Sequence, residues 1–336
     1  MVCCVLDFEA MNLDAYAWFE IISAVVLVVL LLADVLIIFK RPHVPSAKES
    51  TIWVSVYAAL AVIFGLILWQ LVDHTKANEF FAGWLTEYSL SIDNLFVFVI
   101  IMSRFKVPKK YQQEVLMVGI VLSLVLRGIF IAAGAALIET FSWIFYLFGA
   151  FLLYTAYHQA FRGHEDEEET ESKLIKWLRN HIEVSKDFDG AKIRTKVGNK
   201  KMFTPMLVVF IAIAATDVMF AFDSIPAIFG ITTDPFIVLT ANVFALMGLR
   251  QLYFLLGGLL DKLEYLKYGI AFILGFIGVK LVAHAMHENE LPFINNGKHI
   301  EWAPEISTEV SLIVIVASIA VSAIASIIQL RKASKN

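Results

Sequence analysis

Nine runs of about 20 mostly apolar residues follow one another along this chain, and they limit its fold more than any other feature. A helix needs about 20 apolar residues to cross the hydrocarbon core of a bilayer. Charged residues make up only 17% of the chain, against about 25% in soluble domains. The sequence therefore predicts an all-α, polytopic bundle of about nine transmembrane helices. The predicted spans are 17–39, 52–72, 81–103, 114–138, 142–161, 203–231, 236–260, 266–285 and 309–330.

The basic residues predict the orientation of these spans. With the N-terminus outside, the cytoplasmic loops contain 21 of the 27 Lys and Arg residues, and the external loops contain only Lys76 and Lys298. Cytoplasmic loops of membrane proteins carry such an excess of positive charge. We expect a multi-pass protein of the cytoplasmic membrane with its N-terminus outside and its C-terminus inside. The net charge of −4 gives no reason to expect a nucleic-acid partner.

Two stretches of three spans carry the same polar features in the same order. Glu87 precedes Asp93 by six residues in span three, and Asp217 precedes Asp223 by six residues in span six. The next spans contain Arg127 and Arg250, and the spans after those each contain a glycine nine residues before a histidine. Spans three and six run in opposite directions, so the pattern predicts two inverted three-helix repeats. Such repeats are typical of transporters, whose substrate site lies near the midplane.

This repeat divides the chain into five segments. Residues 81–161 are the first repeat and residues 203–285 the second, inverted one, with a cytoplasmic loop at 162–202 between them. Residues 1–80 contain the first two spans, and residues 286–336 contain an external loop, the last span and a cytoplasmic tail.

Ionisable residues inside spans are expensive and usually functional. Five acids against three bases leave a negative balance, which a divalent cation neutralises. The acids are Asp34, Glu87, Asp93, Asp217 and Asp223, and the bases are Arg127, Arg250 and Lys280. Pairing of these charges for helix docking is the simpler alternative.

Helix geometry predicts which of these groups share a site. Residues seven apart lie nearly over one another, which places Ser91 and Asn94 with Glu87, and Ser224 with Asp217. Pro226 removes the partner of the Phe222 carbonyl, so we expect span six to be kinked or broken at Asp223. Freed carbonyls of broken helices often coordinate ions.

We therefore predict a cation site formed by Asp93, Asn94 and Asp223, with Glu87 and Asp217 one or two turns away. Its ligands are carboxylate, amide and hydroxyl oxygens, which suit Mg, Ca or Mn rather than copper or zinc. No span contains a cysteine.

The segments 87–94 (EYSLSIDN) and 217–227 (DVMFAFDSIPA) resemble the TerC family of membrane proteins, and its Alx-type branch in particular. The resemblance extends over roughly residues 15–330 and includes the loop 233–238 (TDPFIV). It implies manganese export across the bacterial inner membrane, with the acids of the two motifs as the functional set. The family is also associated with tellurite resistance and alkaline pH. Family members often have a glutamate at the position of Ala214 and a lysine at that of His158.

The sequence thus favours a secondary transporter that exports Mn²⁺ in exchange for protons, without enzymatic activity or a prosthetic group. Export of another divalent cation such as Ca²⁺ is the first alternative. The others are a membrane scaffold linked to tellurite or stress resistance, a protein that binds or transports oxyanions through the three bases, and an intramembrane aspartyl protease. The oligomeric state, the direction of transport, the coupling ion, the choice between Mn²⁺ and Ca²⁺, the effect of Ala214 and the translation start at Met1 or Met11 stay open.

Overall fold

The computed structural model describes most of the chain. Asp34, both candidate start residues and the larger part of the 162–202 loop lie outside the described residues, as does the side chain of Asp93. The described residues are 17–33, 45–141, 143–161, 184–185, 187–190, 192–197, 200–256, 265–289, 291–292, 294–300 and 302–333.

Helices form nearly all of the described structure, and the predicted all-α bundle is confirmed. Their bounds are α1 Ala17–Ala33, α2 Ala47–Leu71, α3 His74–Arg104, α4 Lys109–Thr140, α5 Ile144–Phe161, α6 Pro205–Phe229, α7 Pro235–Met247, α8 Leu249–Leu256, α9 Leu266–His287 and α10 Thr308–Ala333. A 3₁₀ turn covers Asn295–Gly297. The strands β1 Arg194–Val197 and β2 Lys200–Phe203 pair antiparallel, with Arg194 opposite Phe203, and form a hairpin that the sequence did not predict.

Seven segments of the described chain are helical, long and apolar enough to cross a membrane. They are α2, α3, α4, α6, the continuous stretch of α7 and α8, α9 and α10. The other two predicted spans are also helical, as α1, described over 17 residues, and α5, of 18 residues. The chain is therefore a multi-pass helical membrane protein.

Polar caps and prolines determine where several helices begin. Ser46 accepts a hydrogen bond from the backbone N–H of Glu49 at the start of α2, and Asp73 caps α3 in the same way. Asp234 caps α7, and Pro235 occupies the first turn, where a missing N–H costs nothing. These residues mark helix starts that hydropathy alone does not locate.

The stretch of α7 and α8 lies at the centre of the bundle, and α10 lies at its edge. In their most apolar windows, 89% of the residues of the former are buried, against 22% in α10. The exposed Ile313 and Val321 of α10 fit contact with lipid. The rings of Phe64, Phe80 and Phe244 pack together at 4.9–5.7 Å and connect α2, α3 and α7.

Helices of the first predicted repeat pack against helices of the second. From the first repeat, α3 packs against α6 and α7 of the second, α4 packs against α6, and α5 packs against α9. Gly149 of α5 faces the Gly278 backbone of α9, and a Cβ on Gly149 lies only 2.9 Å from that carbonyl oxygen, so glycine is required there. The inverted symmetry itself stays a prediction.

The interruption of the predicted spans lies at Gly248 and not at Asp223. Helix α6 continues through Pro226 to Phe229, so a break in span six is wrong, and the alternative of a kink at Asp223 stays a prediction. Ile228 and Phe229, which follow the proline, are buried in the core, and their packing keeps the last turn in place. Predicted span 236–260 instead divides at Gly248 into α7 and α8.

Candidate cation site

A buried ion pair joins α3 to α4 inside the bundle. Glu87 is fully buried, and Arg127, which faces it from α4, is 1% exposed. Arg127 Nη1 donates to Glu87 Oε2. Each charge costs roughly 2.5–3.5 kcal/mol inside a membrane on insertion scales, so opposite charges are expected to pair there. The predicted site acid Glu87 therefore has a cation as its direct partner.

Arg127 also binds two amide side chains. Its Nη1 donates to Oδ1 of Asn242 on α7 at 2.8 Å. Asn94 accepts from Nη2 at 3.0 Å in the amide orientation that also lets its nitrogen donate to the Leu90 carbonyl. One guanidinium group thus connects α3, α4 and α7, and the predicted residues Glu87 and Asn94 share it.

Asp217 on α6 is the second buried acid beside α4. It is 2% exposed and accepts a 2.8 Å hydrogen bond from Ser123 Oγ. Ser123 precedes Arg127 by four residues, so both side chains lie on the same face of α4. The charge of Arg127 acts on both Glu87 and Asp217. This polar face therefore lies between the two acids that the repeat predicts to be equivalent.

Four buried oxygens of predicted site residues have no hydrogen-bond partner. They are Glu87 Oε1, Ser91 Oγ, Asp217 Oδ2 and Ser224 Oγ. Roughly 90% or more of buried polar groups in proteins have a partner, so each of these atoms is available to a ligand or a water molecule. Carboxylate and hydroxyl oxygens are the donors that Mg, Ca and Mn prefer. The donor set therefore fits a hard cation.

Asp223 faces a different helix from Asp217. Its Oδ1 accepts a 3.0 Å hydrogen bond from Thr155 Oγ1 of α5, and the residue is only half-buried. Six residues along a helix correspond to about 240° of rotation, which explains why the two aspartates of α6 point to different neighbours. The structure thus associates Asp217 with α4 and Asp223 with α5.

The complete predicted metal site stays a prediction. Within the described part of the chain, no three His, Cys, Asp or Glu side chains lie close enough together to hold a metal ion. Asp93 lies on α3, but its side chain is outside the described structure. Glu87, Asn94 and Asp217 surround the polar face of α4.

The other predicted bases lie in separate surroundings. Arg250 is 8% exposed and lines a cavity of about 250 Å³ whose walls include Leu31 of α1 and Met117 of α4. Lys280 on α9 is half-buried, and its charge acts on Glu79. The two arginines that the repeat predicts to be equivalent therefore differ in structure, and Arg127 is the one that pairs with Glu87.

A second polar cluster, which the sequence did not predict, connects the α6–α7 loop to the beginning of α3. Lys76 forms an ion pair with Asp234. Thr232 donates a 2.6 Å hydrogen bond to Glu79 Oε2, and Lys280 adds its charge to the same carboxylate. These contacts hold the α6–α7 loop against the beginning of α3, next to the end of α6.

Sequence reasoning also missed Ser123, Asn242 and Thr155. Ser123 could have been found, because it lies one turn before Arg127 on the same helical face. Asn242 and Thr155 carry no comparable local signal, since their partners lie 115 and 68 residues away.

Comparison with known proteins identifies relatives along nearly the whole chain. An uncharacterized membrane protein of Mycobacterium bovis is 43% identical over 319 residues, which are 94% of this chain and 80% of that protein. An uncharacterized membrane protein of Myxococcus xanthus is 37% identical over 306 residues, or 91% of each chain. The putative membrane-bound redox modulator Alx of Escherichia coli (strain K12) is 41% identical over 269 residues, 77% of this chain and 84% of that protein.

No solved structure matches the chain. The model of the integral membrane protein TerC family matches residues 72–333, a range that contains both acidic motifs and the polar face of α4. The chain is thus a member of the TerC family of integral membrane proteins.

Proposed function

We propose that this protein is a secondary transporter that exports Mn²⁺ across the cytoplasmic membrane in exchange for protons. The observation that carries the proposal is the set of unpartnered carboxylate and hydroxyl oxygens at Glu87, Ser91, Asp217 and Ser224. Buried acids inside membrane helices usually mark an ion pathway. The donors suit a hard divalent cation, and the family resemblance favours manganese among such cations. Ca²⁺ is the first alternative.

The packing of the helices supports a transporter. In the two predicted repeats, the first helix of each packs against the second helix of the other, as α3 with α7 and α6 with α4. The first helices also pack together, as do the third helices α5 and α9. This contact pattern is compatible with a two-fold axis between inverted repeats, which supports the proposal of a transporter.

Carboxylates that bind the cation in one state and protons in the other couple the two flows. Glu87 and Asp217 each have one oxygen engaged and one oxygen without a hydrogen bond. Exchange of a cation for protons on these groups keeps the buried charge small throughout the cycle, which avoids the cost of an uncompensated charge in the membrane.

Export is the direction that the family resemblance implies, and the orientation that the basic loops favour indicates what lies on the exit side of the site. With the N-terminus outside, the polar cluster of Lys76, Glu79, Asp234 and Lys280 lies at the external ends of α3 and α7. Cargo that leaves the buried site then passes this cluster.

A scaffold without transport is the second candidate, and one observation favours it. Arg127 binds side chains from α3 and α7 while belonging to α4, as a group that only fastens helices does. A scaffold does not account for the unpartnered oxygens of Asp217 and Ser224.

Ion flux into liposomes tests transport directly. Purified full-length protein is reconstituted, and Mn²⁺, Ca²⁺ and Na⁺ fluxes are measured with and without a pH gradient. We expect Mn²⁺ flux that the gradient drives and that Asp217→Asn abolishes. Glu139→Gln, at an exposed acid near the end of α4, is the matched control and is expected to keep full flux. Equal flux in Asp217→Asn and wild type refutes the proposed site.

A further inference from the structure

Arg127 occupies the position in which a cargo cation is expected. Its Nη1 binds one oxygen of Glu87, the acid whose other oxygen has no partner. A cation that enters the site to bind the Glu87 carboxylate therefore competes with a positive charge that belongs to the protein.

A second carboxylate is available to the displaced guanidinium. Arg127 Nε is a buried donor without a partner, and Asp217 Oδ2 is a buried acceptor without a partner. The charge of Arg127 already acts on Asp217, and Ser123 holds the other oxygen of this acid on the same face of α4. A change of rotamer that joins the two groups satisfies both of them and keeps the arginine paired.

We propose that Arg127 is the resident counter-cation of the site, moves from Glu87 to Asp217 when cargo binds, and thereby selects divalent over monovalent cations. This inference rests on the proposed function, because it requires that the site binds cations. At equal distance a divalent ion interacts with a carboxylate twice as strongly as a monovalent ion. A divalent ion can therefore displace the guanidinium group, whereas Na⁺ and K⁺ cannot.

The contacts of Arg127 are compatible with a change of its charged partner. All the side-chain partners described for it are carboxylate or amide groups, and two of these, Asn94 and Asn242, are neutral. Neutral amides can keep the guanidinium oriented while its charged partner changes. The role is assigned to Arg127 because it is the arginine that contacts Glu87.

Thermal unfolding of the purified full-length protein tests the inference without a transport assay. MnCl₂, NaCl and KCl are titrated at constant ionic strength, with choline chloride as the balancing salt. We expect Mn²⁺ but not Na⁺ or K⁺ to raise the Tm of wild type. In Arg127→Gln, we expect Na⁺ to raise the Tm as well and the half-saturating Mn²⁺ concentration to fall about tenfold, which corresponds to about 1.4 kcal/mol. Arg127→Lys keeps the positive charge and is expected to keep the discrimination.

Unchanged discrimination in Arg127→Gln overturns the inference while leaving cation binding intact. A wild type whose Tm no divalent cation raises overturns both the proposed function and this inference. If Arg127→Gln does not fold, the double variant Glu87→Gln/Arg127→Gln removes both charges of the pair and tests whether Asp217, without the arginine, accepts Na⁺. Asp217 then has no counter-cation, and Na⁺ stabilisation is expected. Its absence in a folded double variant overturns the inference.

Discussion

Ser123 on α4 donates a 2.8 Å hydrogen bond to Asp217 on α6, one helical turn from the arginine that pairs with Glu87. A single helical face thereby contacts both acids that recur in the two predicted repeats. The site is consequently organised by α4 and not only by the two helices that carry the acidic motifs.

Removal of the Ser123 hydroxyl is expected to destabilise the protein. Ser123→Ala takes away the hydrogen bond of a buried carboxylate and should cost about 1–3 kcal/mol. Thermal unfolding in detergent measures the effect. Ser55→Ala, which removes a hydroxyl that bonds to the Thr51 carbonyl at an exposed position, is the matched control. Equal Tm values for the two variants contradict the role of Ser123.

Thr155 is expected to position Asp223 for cargo binding. Thr155→Val keeps the shape of the side chain but removes its donor to Asp223, so we expect the KM for Mn²⁺ to rise several-fold while the amount of protein in the membrane is unchanged. Thr155→Ser restores the hydroxyl and should recover most of the affinity. A valine variant with wild-type KM excludes Thr155 from the site.

Exchange of the charges of Glu87 and Arg127 separates a transporter from a scaffold. In the double variant Glu87→Arg/Arg127→Glu an ion pair is still possible between α3 and α4, so a scaffold regains its function. A cation site loses its ligand at the position of Glu87, and we expect no Mn²⁺ flux even when the protein folds. Restored manganese tolerance in this variant supports the scaffold.

In the second polar cluster, removal of the Asp234 side chain is expected to destabilise the protein more than removal of the Lys76 side chain. Asp234 caps α7 by accepting from the backbone N–H groups of Phe236 and Ile237, and its replacement by alanine should cost about 0.5–2 kcal/mol. Lys76 is one-third exposed, and Lys76→Ala should cost less than about 1 kcal/mol. Chemical denaturation of both variants measures the order, and a larger effect of Lys76→Ala contradicts it.

Hydropathy and charge were sufficient to predict the bundle and its buried acids, because each span carries its own signal. Glu87 and Asp217 are buried as expected, and the unpartnered hydroxyls of Ser91 and Ser224 belong to the residues that helix geometry grouped with them. The helix interruption was predicted at the wrong position, because the rule that proline breaks a helix takes no account of packing against neighbouring helices. Packing of Ile228 and Phe229 keeps α6 intact, and the division occurs at Gly248.

The partners of the acids could not be predicted, because they depend on how distant helices pack. Nothing in the sequence indicates that Asn242 meets Arg127 or that Thr155 meets Asp223. The repeat likewise predicted equal roles for Arg127 and Arg250, yet within the described residues Arg127 contacts Glu87 and Arg250 lines a separate cavity. Sequence symmetry thus identified the candidate residues, and tertiary packing determined which of them interact.

In the proposed function, Asp217 and its neighbours form the path of exported manganese. Its most direct test is the intracellular manganese content, by elemental analysis, of an efflux-deficient host that expresses wild type, Asp217→Asn or Asp223→Asn. We predict that wild type lowers the manganese content and that neither variant does, although all three are present in the membrane. Equal manganese in cells with wild type and with empty vector contradicts the claim.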